Sequence, residues 1–103
     1  MNIYRVEGVC LMSKLSDEQV HVYLRKLPGW RYEDSAIKKT FEFERFSDSI
    51  AFVNEIAKLA EESNHHPDLA IRYNRVEVLL TTHDKGGVTG KDFMLAEQIQ
   101  KIT

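Results

Sequence analysis

The chain has 103 residues, 43% of them hydrophobic and 29% charged, with a formal net charge of -2. That is an ordinary balance for one globular domain with a modest core, and no basic block or stripe suggests a nucleic-acid surface. The single cysteine, Cys10, excludes an internal disulfide framework and suits a reducing, cytoplasmic compartment, while no apolar run approaches the roughly 20 residues that span a bilayer.

In chain order, "MNIYRVEGVCLM" comes first. It has apolar content but lacks the basic start and long apolar centre of a signal peptide. It is open to three readings: an arm that pairs with a sheet edge or partner, an upstream start, or a remnant of expression. We take residues 1–12 as a dispensable extension and residues 13–103 as one domain. "SDEQVHVYLRKLPGW" then opens a helix. Ser16 and Gln19 have capping-box spacing, Val20, Tyr23, Leu24 and Leu27 recur at helical spacing, and Pro28-Gly29 stops the run. "WRYEDSAIKKTFEFE" is predicted as a hairpin. Trp30 and Tyr32 begin a strand, and Glu33-Asp34-Ser35 is the turn. Ile37, Phe41 and Phe43 then share one parity against Lys38, Thr40, Glu42 and Glu44, as in a sheet with one buried face.

"FSDSIAFVNEIAKLAEESN" is the clearest helix. Its expected cap is Ser47, and its expected core stripe is Phe46, Ile50, Val53, Ala57 and Ala60. Phe52, Ile56 and Leu59 widen the apolar face, and that flank is a candidate oligomer contact. "LAIRYNRVEVLLTTHD" gives two strands. Leu69, Ile71 and Tyr73 alternate, then Val76, Val78 and Leu80, about a tight Tyr73-Asn74-Arg75 connection. "KGGVTGKD" is a loop that ends in a cap, with Thr89 and Asp92 at capping-box spacing. The last helix carries Leu95, Ala96, Ile99 and Ile102 on its apolar side. Short connections make antiparallel pairing dominate. The expected fold is α+β, a four-stranded antiparallel sheet with three helices layered on one face.

The chemistry concentrates in "EESNHHPDLAIRYN". Asn64 suits the left-handed end of the long helix. His66 precedes Pro67 and is therefore extended, and side chains adjacent on extended backbone point to opposite sides. His65 and His66 should not chelate one ion together. His83 lies where the second strand of the pair gives way to the glycine-containing loop. Loops leaving a sheet frame clefts, and imidazole titrates near neutral pH, so these three histidines are candidates for proton transfer. The plainer alternative is helix-end chemistry, a cationic ring favoured by the dipole. Zinc would need three or four converging ligands. Three histidines and Cys10 in an arm are a poor set, and no metal is expected. A nucleophilic triad has no candidate. His21 has no motif around it and is taken as surface.

The stretch "ESNHHPDLAIRYNRVEVLLTTHDKGGVTGKDFMLAEQI" resembles the pterin-4a-carbinolamine dehydratases. Their signature is an acidic residue, three spacers, two histidines (the second sometimes asparagine), proline and an aromatic. A histidine or tryptophan and an aspartate follow downstream. Glu61, His65, His66, Pro67, Tyr73, His83 and Asp92 fill those places, and "LPGW" places Trp30 in the matching position upstream. The resemblance covers residues 15–102. Asn64 departs from it, standing where many members carry aspartate, which weakens the case for a carboxylate role there.

The resemblance implies a sheet with helices on one face, a homodimer or homotetramer, and a pterin substrate. The substrate is a 4a-hydroxytetrahydropterin, left by an aromatic amino acid hydroxylase, and the product is the quinonoid dihydropterin, which a reductase can recycle. It implies no cofactor, no metal, no membrane and no direct nucleic-acid partner. By the same resemblance His65, His66 and His83 line the site as its catalytic residues, with His66 and His83 transferring protons and His65 supporting or sharing that work. The backbone of Asn64 to His66 and of Thr81, Thr82, His83 and Asp84 frames the ring. Trp30 is a wall or a core residue, and Pro67 stiffens the bend. Tyr73 is a packing residue, and Asp92 is a cap that also supports the site. Glu61, one turn before His65, either orients that ring or is a solvated helix residue. Two rival functions are a dimerisation partner of a homeodomain transcription factor, acting through the flank of the long helix, and a pterin-binding protein of molybdenum-cofactor metabolism.

Overall fold

A computed structural model describes residues 13–103; Cys10 and the extension assigned to residues 1–12 lie outside the described residues. Helix α1 (Asp17–Leu24) starts at its capping box, where Gln19 N donates to Ser16 Oγ at 3.2 Å and Ser16 N to Gln19 Oε1 at 2.9 Å. Strands β1 (Arg31–Glu33) and β2 (Ala36–Glu42) are joined by Asp34 and Ser35, both at positive φ, 51° and 60°. Two left-handed residues in a row are the signature of a type I′ hairpin. Then come α2 (Phe46–Ser63), β3 (Asp68–Arg72), β4 (Arg75–Leu80), a 3-10 turn (His83–Lys85) and α3 (Gly90–Lys101). Every strand pair is antiparallel and the sheet order is β1-β2-β4-β3. The expected α+β architecture of four strands and three helices is the one observed.

Alternation decides which face is covered. Ile37 and Phe41 on β2 and Val76, Val78 and Leu80 on β4 are buried, in one cluster with Phe52 and Ile56 of α2 and Leu95, Ala96 and Ile99 of α3. Each such side chain contributes roughly 1.5–3 kcal/mol by leaving water. The other parity is the open face, where Arg31, Lys38, Leu79 and Asp68 form one cross-strand row. β3 is an edge strand: Leu69 is half-buried, Ile71 and Tyr73 are exposed, and Tyr73 stands in the turn at φ 53°. Phe93, fully buried edge-on to Tyr23 at 5.3 Å, is a core residue missing from the expected stripe of α3, and Ile102, expected on that stripe, is exposed at the helix end.

Helix α2 departs from expectation in two respects. Its N-cap is Arg45, not Ser47. Arg45 forks onto Asp48, with Nε and Nη2 each 3.3 Å from a carboxylate oxygen, so the first turn is held by an ion pair. The helix is also rotated. Its buried positions are Ser49, Phe52, Ile56 and Ala60, whereas Phe46 and Ala57 are exposed and Ile50 and Val53 only half-buried. Phe52 sets the rotation: its ring packs 4.8 Å from Phe41 and 5.1 Å from Phe43, tilted aromatic contacts that add to its burial. The supposed oligomer flank is therefore the face that packs on the sheet. Phe52→Glu should cost roughly 3–5 kcal/mol by burying a lone charge. A thermal melt should show no cooperative transition; a folded variant would mean Phe52 faces water.

Candidate active site

Asn64 ends α2 in the left-handed conformation, φ 51° and ψ 41°. His65 N donates to Ala60 O at 3.1 Å, closing the helix end. The chain then runs through His65, His66 and Pro67 into β3. Because Asp68 pairs with Leu79, the start of β3 lies beside the end of β4. The α2–β3 junction and the segment after β4 thus meet at one end of the sheet. Asn64, His65, His66, Thr81, Thr82, His83 and Asp84 line one cavity of about 300 Å³ there, within the small-molecule range.

The two adjacent histidines point apart, as extended backbone requires. The side chain of His65 is 11% exposed and that of His66 56%. His65 Nε2 donates to Asp92 Oδ1 at 2.5 Å. Asp92 is fully buried, and its Oδ2 accepts from Thr82 Oγ1 at 2.8 Å and from Thr89 N at 2.9 Å. Thr82 Oγ1 also lies 2.9 Å from Thr89 Oγ1. Three donors meet the needs of a buried carboxylate. With Nε2 as donor, the neutral His65 ring carries its lone pair on Nδ1. Asp92 therefore has two roles: it completes the capping box of α3 with Thr89 and also aims His65.

Glu61 does not orient His65. Its carboxylate stands 3.7 Å from His66 Nε2, both side chains largely in water, because His65 turns inward and His66 outward. His83 Nε2 lies 4.0 Å from Asp68 Oδ2, again at the surface. Such exposed pairs are worth little energy but bias each ring. Thr81 Oγ1 donates to Ser35 O at 2.8 Å, tying the cleft to the β1–β2 turn. The backbone of Thr82 is consumed internally: its N–H donates to Gly87 O, and its C=O accepts from Lys85 N and Gly87 N. Thr82 is thus a wall of the cleft rather than a source of free backbone groups.

Two expected site residues stand outside the cleft. Trp30 is buried in the core, edge-on to Phe41, and its Nε1 donates to Gln100 Oε1 at 3.1 Å. Gln100 lies about 12 Å along α3 from Asp92 at 1.5 Å per residue, so Trp30 is core and no wall of this cleft. Pro67 does not line the cavity either; half-buried, it leads into β3. Asp68, which no motif in the sequence singles out, stands beside the cleft directly after Pro67, within 4.0 Å of His83 Nε2. Among the described residues no group of three or more His, Cys, Asp or Glu is placed to hold a metal ion, and no helix is long and apolar enough to cross a membrane.

The family model described as pterin 4 alpha carbinolamine dehydratase matches residues 13–102. The chain belongs to that dehydratase family. A relative from Thermomicrobium roseum, provisionally named a pterin-4-alpha-carbinolamine dehydratase, is 45% identical over 91 residues, covering 88% of this chain and 98% of its own. A relative from Sulfolobus acidocaldarius with the same provisional name is 48% identical over 89 residues, covering 86% and 98%. Among solved structures, a transcriptional coactivator/pterin dehydratase from Brucella melitensis superposes with a TM-score of 0.84 at 37% identity, covering 87% of this chain and 98% of that one. A pterin dehydratase-like protein identified as a RuBisCO assembly factor of the alpha-carboxysome shares the fold alone, with a TM-score of 0.58 at 20% identity over 71% of this chain and 84% of that one. Of the residues that carry the resemblance, His65, His66 and His83 line the cleft, Asp92 bonds His65, Glu61 stands beside His66, and Tyr73 lies at the far end of the β3–β4 hairpin.

Proposed function

We propose that this dehydratase-family chain is a hydro-lyase that removes water from a 4a-hydroxytetrahydropterin to give the quinonoid dihydropterin. The observation that carries this reading is the meeting of three imidazoles on one cleft, one of them fixed by a buried carboxylate. Dehydration needs a proton delivered to the departing 4a-hydroxyl and another removed from a ring nitrogen. One acid and one base suffice, and each well-placed transfer contributes about 10²–10⁴-fold. His66 and His83 are assigned that work. Both are open to water, so both can re-equilibrate their protons after each turnover. His65, with Nε2 held by Asp92, supports the ring in the cleft. Neither a cofactor nor a metal is needed. In this role the chain serves tetrahydropterin recycling in the cytoplasm as a homodimer or homotetramer. The coactivator-type alternative, which the likeness to the Brucella melitensis transcriptional coactivator/pterin dehydratase supports, would need a surface other than Phe52 and Ile56, which lie in the core.

The test is dehydration of freshly generated 4a-hydroxytetrahydropterin, followed by ultraviolet absorbance with and without protein. Clear acceleration over the spontaneous reaction supports the reading; none from folded protein overturns it. His83→Ala should lower kcat by about 10²-fold or more with the melting temperature unchanged, because the ring is 80% exposed. Unchanged turnover would remove His83 from the proton-transfer pair.

A further inference from the structure

His65 and His83 reach the cleft on separate segments, one leaving α2 and the other leaving β4. Thr82 connects them. Its backbone closes the turn that begins at His83: the N–H donates to Gly87 O at 2.9 Å and the carbonyl accepts from Lys85 N at 3.0 Å. Its side chain is buried, and Oγ1 donates to Asp92 Oδ2 at 2.8 Å, while Asp92 Oδ1 accepts from His65 Nε2. Position 82 continues the inward parity of Val76, Val78 and Leu80, all fully buried, so packing alone would favour an aliphatic side chain there. The hydroxyl calls for another reason.

The direction of each bond around it is fixed. A threonine hydroxyl has one proton to give. That of Thr82 goes to the carboxylate, so the 2.9 Å contact with Thr89 Oγ1 is donated by Thr89. Thr89 Oγ1 in turn accepts from Lys91 N at 3.3 Å. Hydrogen bonds in series polarise one another, and this series ends on the carboxylate that holds His65. The terminal torsion of an aspartate is soft, with broad wells in place of sharp rotamers. Oδ1 stays aimed at His65 because Oδ2 is occupied, by Thr89 N and Thr82 Oγ1. The Thr89 N–H belongs to the capping box of α3, which is complete with Thr89 and Asp92 alone. The Thr82 hydroxyl belongs to no cap and no strand ladder.

We propose that Thr82 is a positioning residue of the dehydratase site: its hydroxyl fixes the Asp92 carboxylate, which sets the His65 ring in register with the His83 turn that the same residue closes. On the dehydratase reading, on which this depends, Thr82 acts through Asp92 and not on the pterin.

The experiment measures kcat, Tm and the ring-nitrogen NMR shifts of His65 in Thr82→Val, Thr82→Ser, Asp92→Asn and the Thr82→Val/Asp92→Asn double variant. Valine keeps the shape and removes the hydroxyl. It should lower kcat about tenfold, the low end of the scale for groups that orient a working histidine. The His65 shifts should move from one tautomer toward a mixture of two. Serine keeps the hydroxyl on a freer χ1 and should restore kcat to within about twofold of wild type. The double variant should fall no more than about twofold below Asp92→Asn, because residues acting through one carboxylate are not additive. If Thr82→Val fails to fold, Thr82→Cys replaces it, with a weak S–H donor and an expected loss of about threefold. A lower Tm with wild-type kcat in the valine or cysteine variant, unmoved His65 shifts, no restoration by serine, or a double variant that shows the full product of the two single losses would each overturn the proposal. A folded wild type without turnover would strike the dehydratase reading itself, and the His65 shifts of Thr82→Val would then decide alone whether Thr82 sets that ring.

Discussion

Replacing His66 by alanine is expected to lower kcat for carbinolamine dehydration by about 10²–10⁴-fold, the usual worth of one positioned acid or base. Stability should barely change. The ring is mostly in water, and its one charged neighbour, Glu61, is 3.7 Å away and itself exposed, a pairing worth at most about 1 kcal/mol. Ultraviolet assays set beside thermal melts separate the two effects. A variant that unfolds would make His66 a structural residue, and a variant with wild-type kcat would take it out of the chemistry. Glu61→Gln should be mild by the same logic, since the carboxylate only biases a ring that remains free to turn.

Asp92→Ala is expected to damage stability and turnover together. It removes the buried acceptor of three donors, stranding the Thr89 N–H and His65 Nε2–H and leaving the Thr82 hydroxyl only Thr89 Oγ1. At about 1–3 kcal/mol for each stranded group, with partial relaxation, the loss should be roughly 3–5 kcal/mol, a fall in Tm of roughly 15–30 °C for a domain of this size. Asp92→Asn distinguishes the two roles. Its amide oxygen can still accept from Thr82 and Thr89, but its NH₂ must then face His65 and force the opposite tautomer. This variant should keep most of the Tm while losing about 10–100-fold in turnover, the usual scale for groups that orient a working histidine. The ring nitrogen shifts of His65 in NMR spectra should report the tautomer change. An Asp92→Asn protein that is folded and fully active would reduce the His65–Asp92 bond to scaffolding.

What could be read from the sequence was local. The capping boxes at Ser16–Gln19 and Thr89–Asp92 are each set within four residues, and both are present. The strand alternation around Ile37–Phe41 and Val76–Leu80 survived because a period of two has one solution when a single face is buried. The left-handed Asn64 followed from residue chemistry alone. What failed was non-local. In α2 two apolar stripes overlap, and the buried one passes through the polar Ser49, so periodicity favoured its neighbour. Phe41 and Phe43, on another element, settled the choice. Trp30 is open to a wall or a core place in the sequence, and what decides for the core is its partner Gln100, near the other end of the chain. The bond between His65 and Asp92 spans 27 positions. The capping motif explained Asp92 so completely that nothing local asked for a second partner.

The β3–β4 hairpin has one further consequence, for which changes of length the chain can absorb. His66 comes two residues before β3 begins and His83 three residues after β4 ends, while the Tyr73-Asn74 turn sits at the opposite end of the pair. The separation of the two assigned proton-transfer groups is thus set by a count along a single excursion of the chain, not by the docking of remote segments. Extra residues at the distant turn would leave that count untouched. One residue removed from within β4 would reverse the facing of everything after it, carrying His83 from the open side of the sheet toward the helices. The site should accordingly tolerate a longer loop at Tyr73-Asn74 and be intolerant of a change of odd length in either strand.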